Sequence, residues 1–272
     1  MAANSRIAWF YPLPVPEGDT IHHAANRIRP ILVGAVPQID TPHPRFGRER
    51  WAERLGDLAV TAVDARGKHL LIGFEGDRVL HSHLRMTGHW GTYRAGQRWG
   101  RSARRAWLVL RARDAEVVQF DGPVLELLSA GRARADRRMA ALGPDIVAGE
   151  AFDEGSFLRR LRADDPRRPF GDALLDQRTV AGIGNLWKSE ACFAAGIDPW
   201  RPTGEVGDDE ALSTVRAVRP RMQQSARDGH QTRHKAIYGR AGRPCPRCAA
   251  RIRQRGQWDD NRATFWCPGC QR

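Results

Sequence analysis

From Asp19 the apolar residues Ile21, Ala24, Ala25, Ile28, Ile31 and Leu32 recur at three- and four-residue spacing. That period predicts one buried helical face, with Asp19 as its capping residue. Pro30 falls inside the pattern and predicts a kink or an early end there. Beyond residue 58 the period becomes strand-like. Short β-type runs at 58–60, 69–72, 79–83, 107–110 and 117–120 are separated by Gly, Asp and Arg clusters. Five such strands predict a sandwich or a barrel with the leading helix packed on it. Gly143-Pro-Asp145 and the polar stretch to Gly155 read as a linker. Helical spacing then returns over 157–161, 173–177, 186–195 and 210–226, with Gly196 and Pro199 placed to stop the third helix.

The chain has 272 residues, 41% of them hydrophobic. That is enough for two modest domains and excludes a disordered chain. No apolar run long enough to span a bilayer occurs. The net charge of +13 points to a polyanionic partner, most simply nucleic acid. No lysine-rich amphipathic anchor argues for a membrane instead. Lysine occurs only at positions 68, 188 and 235, and the other 41 basic residues are arginines. A GC-rich genome explains that preference. It does not explain why +9 of the charge lies between Arg221 and Arg272. The first fifteen residues hold a short apolar patch broken by Pro12 and Pro14 and lack a signal-peptide cleavage site, so a cytoplasmic, nucleoid-associated protein is expected.

Four of the five cysteines form Cys245-Pro-Arg-Cys248 and Cys267-Pro-Gly-Cys270, separated by 18 residues. Two such knuckles suit one tetrahedral zinc ion, and four thiolates leave no open position, so the site reads as structural. A redox Cys-x-x-Cys needs no second copy. The spacer predicts two strands, 252–258 and 263–266, with Asp259-Asp-Asn261 as their turn. Arg262 follows that turn; it is either a solvated arginine or one that reaches into a bound groove. Cys192 reads as helix core packing. Val180-Ala-Gly-Ile-Gly184 joins two helical segments, with Asn185 as the N-cap of the second. The amides at such a helix start form an anion site, for which phosphate is the obvious occupant, although the turn taken alone is only a helix hairpin.

Taken together and in order, Pro16-Glu-Gly-Asp-Thr20, Arg66-Gly-Lys-His69, His83-Leu-Arg-Met-Thr-Gly88, Asp176 with Val180-Ala-Gly-Ile-Gly-Asn185, Tyr238-Gly-Arg-Ala-Gly-Arg-Pro-Cys245 and Arg262-Ala-Thr-Phe-Trp-Cys267 resemble the formamidopyrimidine-DNA glycosylase/endonuclease VIII family. The opening motif is similar to the endonuclease VIII branch. The resemblance implies an α+β multidomain fold. An N-terminal β-sandwich with a leading helix (16–142) is followed by a helical helix-two-turn-helix domain (143–236) and a four-cysteine zinc-finger β-hairpin (237–272), with residues 1–15 as an extension. It implies a bifunctional DNA glycosylase and apurinic/apyrimidinic lyase, a monomer acting on double-stranded DNA with damaged bases or abasic sites. Pro16 would be the nucleophile and Glu17 the acid/base. Lys68 would donate a proton in β-elimination and contact phosphate. Arg262 would serve δ-elimination, Asn185 would bind phosphate, and Met86, with Arg85 beside it, would fill the gap left by the everted base. Cys245, Cys248, Cys267 and Cys270 would hold one structural zinc.

The main departure is chemical. A proline preceded by fifteen residues is a tertiary amide and forms no Schiff base. The expectation is a true start at Val15, read from a GTG codon, and loss of that methionine to expose Pro16. Thr20 stands where many members carry a second glutamate. The strand-inserting Arg-Phe pair of the 8-oxoguanine branch is absent between 105 and 135, which favours oxidised pyrimidines. Two alternatives are a catalytically inactive damaged-DNA-binding protein of the same fold and an RNA- or ribosome-associated zinc ribbon.

Overall fold

Glu17, not Asp19, caps the first helix. In the computed structural model, which describes residues 16–47, 49–257 and 261–272, α1 spans Gly18–Leu32. The Glu17 amide donates to Thr20 Oγ1 at 3.0 Å, and the Thr20 hydroxyl donates to the Glu17 carbonyl at 2.9 Å. Thr20 thereby locks the first turn and leaves the Glu17 carboxyl group to bond elsewhere. Asp19 lies inside the first turn, fully buried. It accepts from Ser225 Oγ at 2.6 Å and Gln231 Nε2 at 3.1 Å, both in the helical half of the chain. The helix also runs on past Pro30, ending two residues later.

Among the described residues eight strands rather than five follow, as two four-stranded antiparallel sheets. After β1 (Gln38–Asp40) and the short helices α2 (Pro44–Gly47) and α3 (Trp51–Leu55) come β2 (Val60–Arg66), β3 (His69–Phe74), β4 (Arg78–His83), β5 (His89–Arg94), β6 (Ala106–Ala112), β7 (Ala115–Phe120) and β8 (Val124–Ser129). The orders are β1-β6-β7-β5 and β2-β3-β4-β8. This resolves the sandwich-or-barrel alternative as a sandwich. The predicted run at 58–60 is displaced onto β2. That strand's Ala62, Asp64 and Ala65 are weak strand formers, held by pairing with β3. Leu70, Ile72 and Phe74 of β3, Leu108 and Leu110 of β6 and the inner face of α1 share one core. Each such side chain contributes roughly 1.5–3 kcal/mol.

Past α4 (Ala130–Arg134) and α5 (Arg137–Ala140), the segment read as a linker is a clasp. Leu142, Ile146 and Val147 are buried. Asp145 accepts from the amides of Gly67 at 2.7 Å and Val147 at 2.9 Å, and shares a 2.9 Å bond with His22. The helices α6 (Glu154–Arg162), α7 (Phe170–Leu175), α8 (Asn185–Ala195) and α9 (Asp208–Asp228) enclose a second core around Phe157, Phe170, Trp187, Val218 and Met222, in which Cys192 is buried as expected. Gly196 ends α8 in the left-handed region at φ 76°, where glycine is favoured. Finally β9 (Arg253–Gln257) pairs with β10 (Arg262–Trp266), Gln257 opposite Arg262. Of the predicted turn, Asp259 and Asp260 lie outside the described residues. Among the described residues no helix is long and apolar enough to cross a membrane.

Candidate active site

The glycine-rich turn does form an anion site, but Glu17 fills it. The Glu17 carboxylate accepts the amides of Gly184 at 3.0 Å, Leu186 at 2.8 Å and Trp187 at 3.3 Å, at the start of α8. The cap of α8 is therefore Gly184, and Asn185 is its first residue. A side chain at 184 would displace the carboxyl group, since a Cβ there would lie 2.3 Å from Glu17 Cδ. Gly18 meets Gly182 in the same way: its amide donates to Gly182 O at 2.8 Å, and a Cβ on Gly18 would lie 2.7 Å from Gly182 Cα. Both glycine motifs thus serve one close backbone approach between the two halves of the molecule.

Lys68 sits in the two-residue turn between β2 and β3, beside Gly67 at φ +55°. Asp145 grips that turn through the Gly67 amide, so the clasp sets the position of Lys68. Burial pushes the Glu17 carboxyl up to about 7, against the pull of Lys68 and the helix amides. Burial likewise pushes the Lys68 ammonium down to about 8, with Glu17 opposing the shift and Arg262 adding to it. A donor and an acceptor are therefore both populated near neutral pH.

These residues converge. A cleft of about 460 Å³ is lined by Pro16, Glu17, Lys68, Met86, Gly184, Asn185, Tyr238, Asn261, Arg262 and Ala263. Met86 is 71% exposed, at the rim, next to Arg85 in the left-handed region at φ 51°. Asn185 Nδ2 donates to Ala263 O at 2.8 Å, tying the start of α8 to the strand that carries Arg262. The four cysteines come together separately. Their sulfurs lie within 4.8 Å of one another, Cys248–Cys267 at 3.4 Å and Cys245–Cys270 at 3.8 Å. A tetrahedral ion bound at about 2.3 Å needs sulfurs about 3.8 Å apart, which these positions fit.

Several residues escaped the sequence reading. Glu190, fully buried, accepts the amides of Ala236, Ile237 and Tyr238 at 2.8–3.0 Å and so holds the segment leading to the hairpin. Lys188, also fully buried, reaches the hairpin from below. On the outer face of the β3–β4–β8 sheet, His69 and His81 share a 2.8 Å bond, and His81 and Glu126 one of 3.2 Å. Burial pushes His69 down to about 3, so this face next to Lys68 carries neutral rings. Strand alternation in 79–83 signals that face; nothing local marks Glu190.

Residues 15–123 match the family model of the formamidopyrimidine-DNA glycosylase N-terminal domain, and residues 142–236 that of the formamidopyrimidine-DNA glycosylase H2TH domain. The chain is 40% identical over 268 residues to a probable endonuclease 8 2 of Streptomyces coelicolor, covering 94% of each chain. It is 36% identical to the DNA-(apurinic or apyrimidinic site) lyase Nei2 of Mycolicibacterium smegmatis, covering 94% of this chain and 99% of that one. Among solved structures, the complex of Lactococcus lactis Fpg with abasic-site DNA superposes with a TM-score of 0.80 at 25% identity, covering 94% of this chain and 99% of that one. With its sandwich, its glycine-rich helical turn and its four-cysteine hairpin closing on one cleft, the chain belongs to the formamidopyrimidine-DNA glycosylase/endonuclease VIII family, on the endonuclease VIII-like side.

Proposed function

We propose that this protein is a DNA glycosylase with apurinic/apyrimidinic lyase activity that removes oxidised bases, pyrimidines preferred, from double-stranded DNA. The observation that carries the reading is the convergence of Pro16, Glu17, Lys68 and Arg262 on one cleft. The amine of Pro16 attacks C1′ of an everted nucleotide and displaces the base, which takes the proton the amine gives up; Glu17 then protonates the sugar ring oxygen O4′ as the C1′–O4′ bond opens. A neutral amine is the nucleophile, and a chain-terminal one has an ordinary pKa of roughly 8. The resulting iminium acidifies the C2′ proton. Its loss expels the 3′ phosphate, assisted by Lys68, and a second elimination assisted by Arg262 expels the 5′ phosphate. Water then releases the sugar remnant and regenerates the amine. Eversion leaves a gap in the stack, which Met86 at the rim is long and apolar enough to occupy. Asn185 contacts a backbone phosphate.

We assign the catalytic domain to 16–142, the helix-two-turn-helix domain to 143–236 and the zinc finger to 237–272. One structural zinc ion is held by Cys245, Cys248, Cys267 and Cys270, whose spacing fits it. Its contribution is to fix the hairpin, since four thiolates leave it no position for substrate. The chemistry requires a free Pro16 nitrogen, so the working chain begins there. The start of the family match at residue 15 supports that boundary. The test is borohydride treatment with abasic-site duplex, run on chains begun at Met1 and at Pro16. Covalent trapping by the Pro16 form alone supports the reading. Tight lesion binding without trapping by either form makes the protein a damaged-DNA-binding protein of the same fold.

A further inference from the structure

We propose that Lys188 is a positioning residue that pins the zinc hairpin so that Arg262 faces the cleft. Its side chain leaves α8 at the residue after Trp187, the last of the amides that hold Glu17, and ends beneath the hairpin, with no exposed surface. Nζ donates to Thr264 Oγ1 at 2.5 Å and to Gln257 Oε1 at 3.1 Å. The Thr264 hydroxyl donates to the same Gln257 oxygen at 2.6 Å, and Gln257 Nε2 donates to Pro199 O at 2.9 Å. Gln257 is the register partner of Arg262 across the two strands. Thr264 lies two residues beyond Arg262, on the same face of β10. One ammonium group therefore holds both strands on either side of the arginine.

A packing role does not explain this choice of residue. Among the described residues Lys188 takes part in no ion pair; its acceptors are two neutral oxygens. A buried cation whose hydrogen-bond acceptors are neutral costs stability, and a methionine would fill the space at lower cost. Burial pushes the ammonium down to about 8, with Asp172 and Glu17 opposing the shift and Arg262 adding to it. The chain uses arginine at 41 of its 44 basic positions. A planar guanidinium does not deliver two bonds from a point to acceptors this close together. Lys188 thus links the helix that receives Glu17 to the strand that presents Arg262, so the two ends of the proposed reaction share one support.

The role of Arg262 in the second elimination belongs to the proposed function, and the experiment separates the two ideas. Lys188→Met, Lys188→Gln, Arg262→Ala and the double variant Lys188→Met/Arg262→Ala are prepared as zinc-loaded chains begun at Pro16. Amide exchange over 253–266 is measured without DNA, and the ratio of δ- to β-elimination products is measured on abasic-site duplex. Lys188→Met is expected to speed exchange in the hairpin alone and to lower the ratio about tenfold or more, with borohydride trapping essentially retained. Lys188→Gln, which keeps one hydrogen bond, falls between. The double variant is no worse than Arg262→Ala, because both changes remove one device. Unchanged hairpin exchange, additive losses, or trapping and both eliminations falling together would overturn the proposal. If Arg262→Ala leaves the ratio untouched, the role of Arg262 fails and the exchange data alone decide whether Lys188 pins the hairpin.

Discussion

Glu17 Oε1 accepts the amide of Leu186 at 2.8 Å, across 169 residues of chain. The second residue of the Pro-Glu motif is thus held at the start of the helix that follows the glycine-rich turn. Replacing it with glutamine keeps the shape but turns an amide group toward backbone donors. We predict that Glu17→Gln abolishes base excision while abasic-site cleavage persists. Because burial outweighs the pull of the helix amides and raises Glu17 to about 7, removing its charge is not expected to lower Tm at neutral pH. Parallel assays on lesion and abasic duplexes check the split; equal loss on both contradicts it.

Gly184→Ala places a methyl group where Glu17 Cδ lies, 2.3 Å away, and the carboxyl group must move. A displacement near 1 Å costs about 10²-fold in rate. We expect kcat on lesion DNA to fall by that order while zinc content stays unchanged, as single-turnover kinetics and metal analysis will reveal.

The pH profile follows from two opposed shifts. Glu17 is raised to about 7 and Lys68 lowered to about 8, burial being the main cause of each. Both act as proton donors, so on the alkaline side activity is lost first through Glu17 and then through Lys68, while on the acid side it falls as the Pro16 amine, of ordinary pKa roughly 8, becomes protonated. On abasic DNA the Glu17 step drops out, and the alkaline limb is that of Lys68. Since the Glu17 charge raises Lys68, Glu17→Gln moves that alkaline limb to lower pH. An upward shift in the variant's cleavage profile counts against the pairing.

Removing the metal is expected to abolish DNA binding and leave the rest folded. Cys245 and Cys267 share a small cluster with Phe193, Ile237, Ile252 and Phe265, too few side chains to hold the hairpin alone. Cys267→Ala or chelation should therefore cost at least about tenfold in affinity, beyond the 1.4 kcal/mol that tenfold represents, with the helical circular dichroism signal retained. Full affinity after verified metal loss contradicts this.

Much of this was legible in the residues, where the pattern is local. The period of α1, the helices at 186–195 and 210–226 and the hairpin of the paired cysteines were all marked by spacing. What escaped depends on partners far along the chain. Asp19 is a good capping residue by type, yet Ser225 and Gln231 take it into the interior. Asp145 sits in a Gly-Pro-Asp sequence typical of turns, yet its carboxylate joins Gly67, His22 and Val147. Asn185 lost the cap to Gly184 because only glycine admits Glu17. Strands β1, β5 and β8 were missed because pairing with neighbours, more than residue type, sustains them.

The account rests on the nitrogen of Pro16, and one measurement addresses it directly. The native protein is trapped on abasic-site DNA with borohydride, digested, and the modified peptide read by mass spectrometry. We predict a sugar remnant on the amino nitrogen of Pro16, in a peptide that lacks residues 1–15. A trapped adduct on Lys68, or continued strand cleavage by a chain whose Pro16 remains joined to Val15, would contradict it.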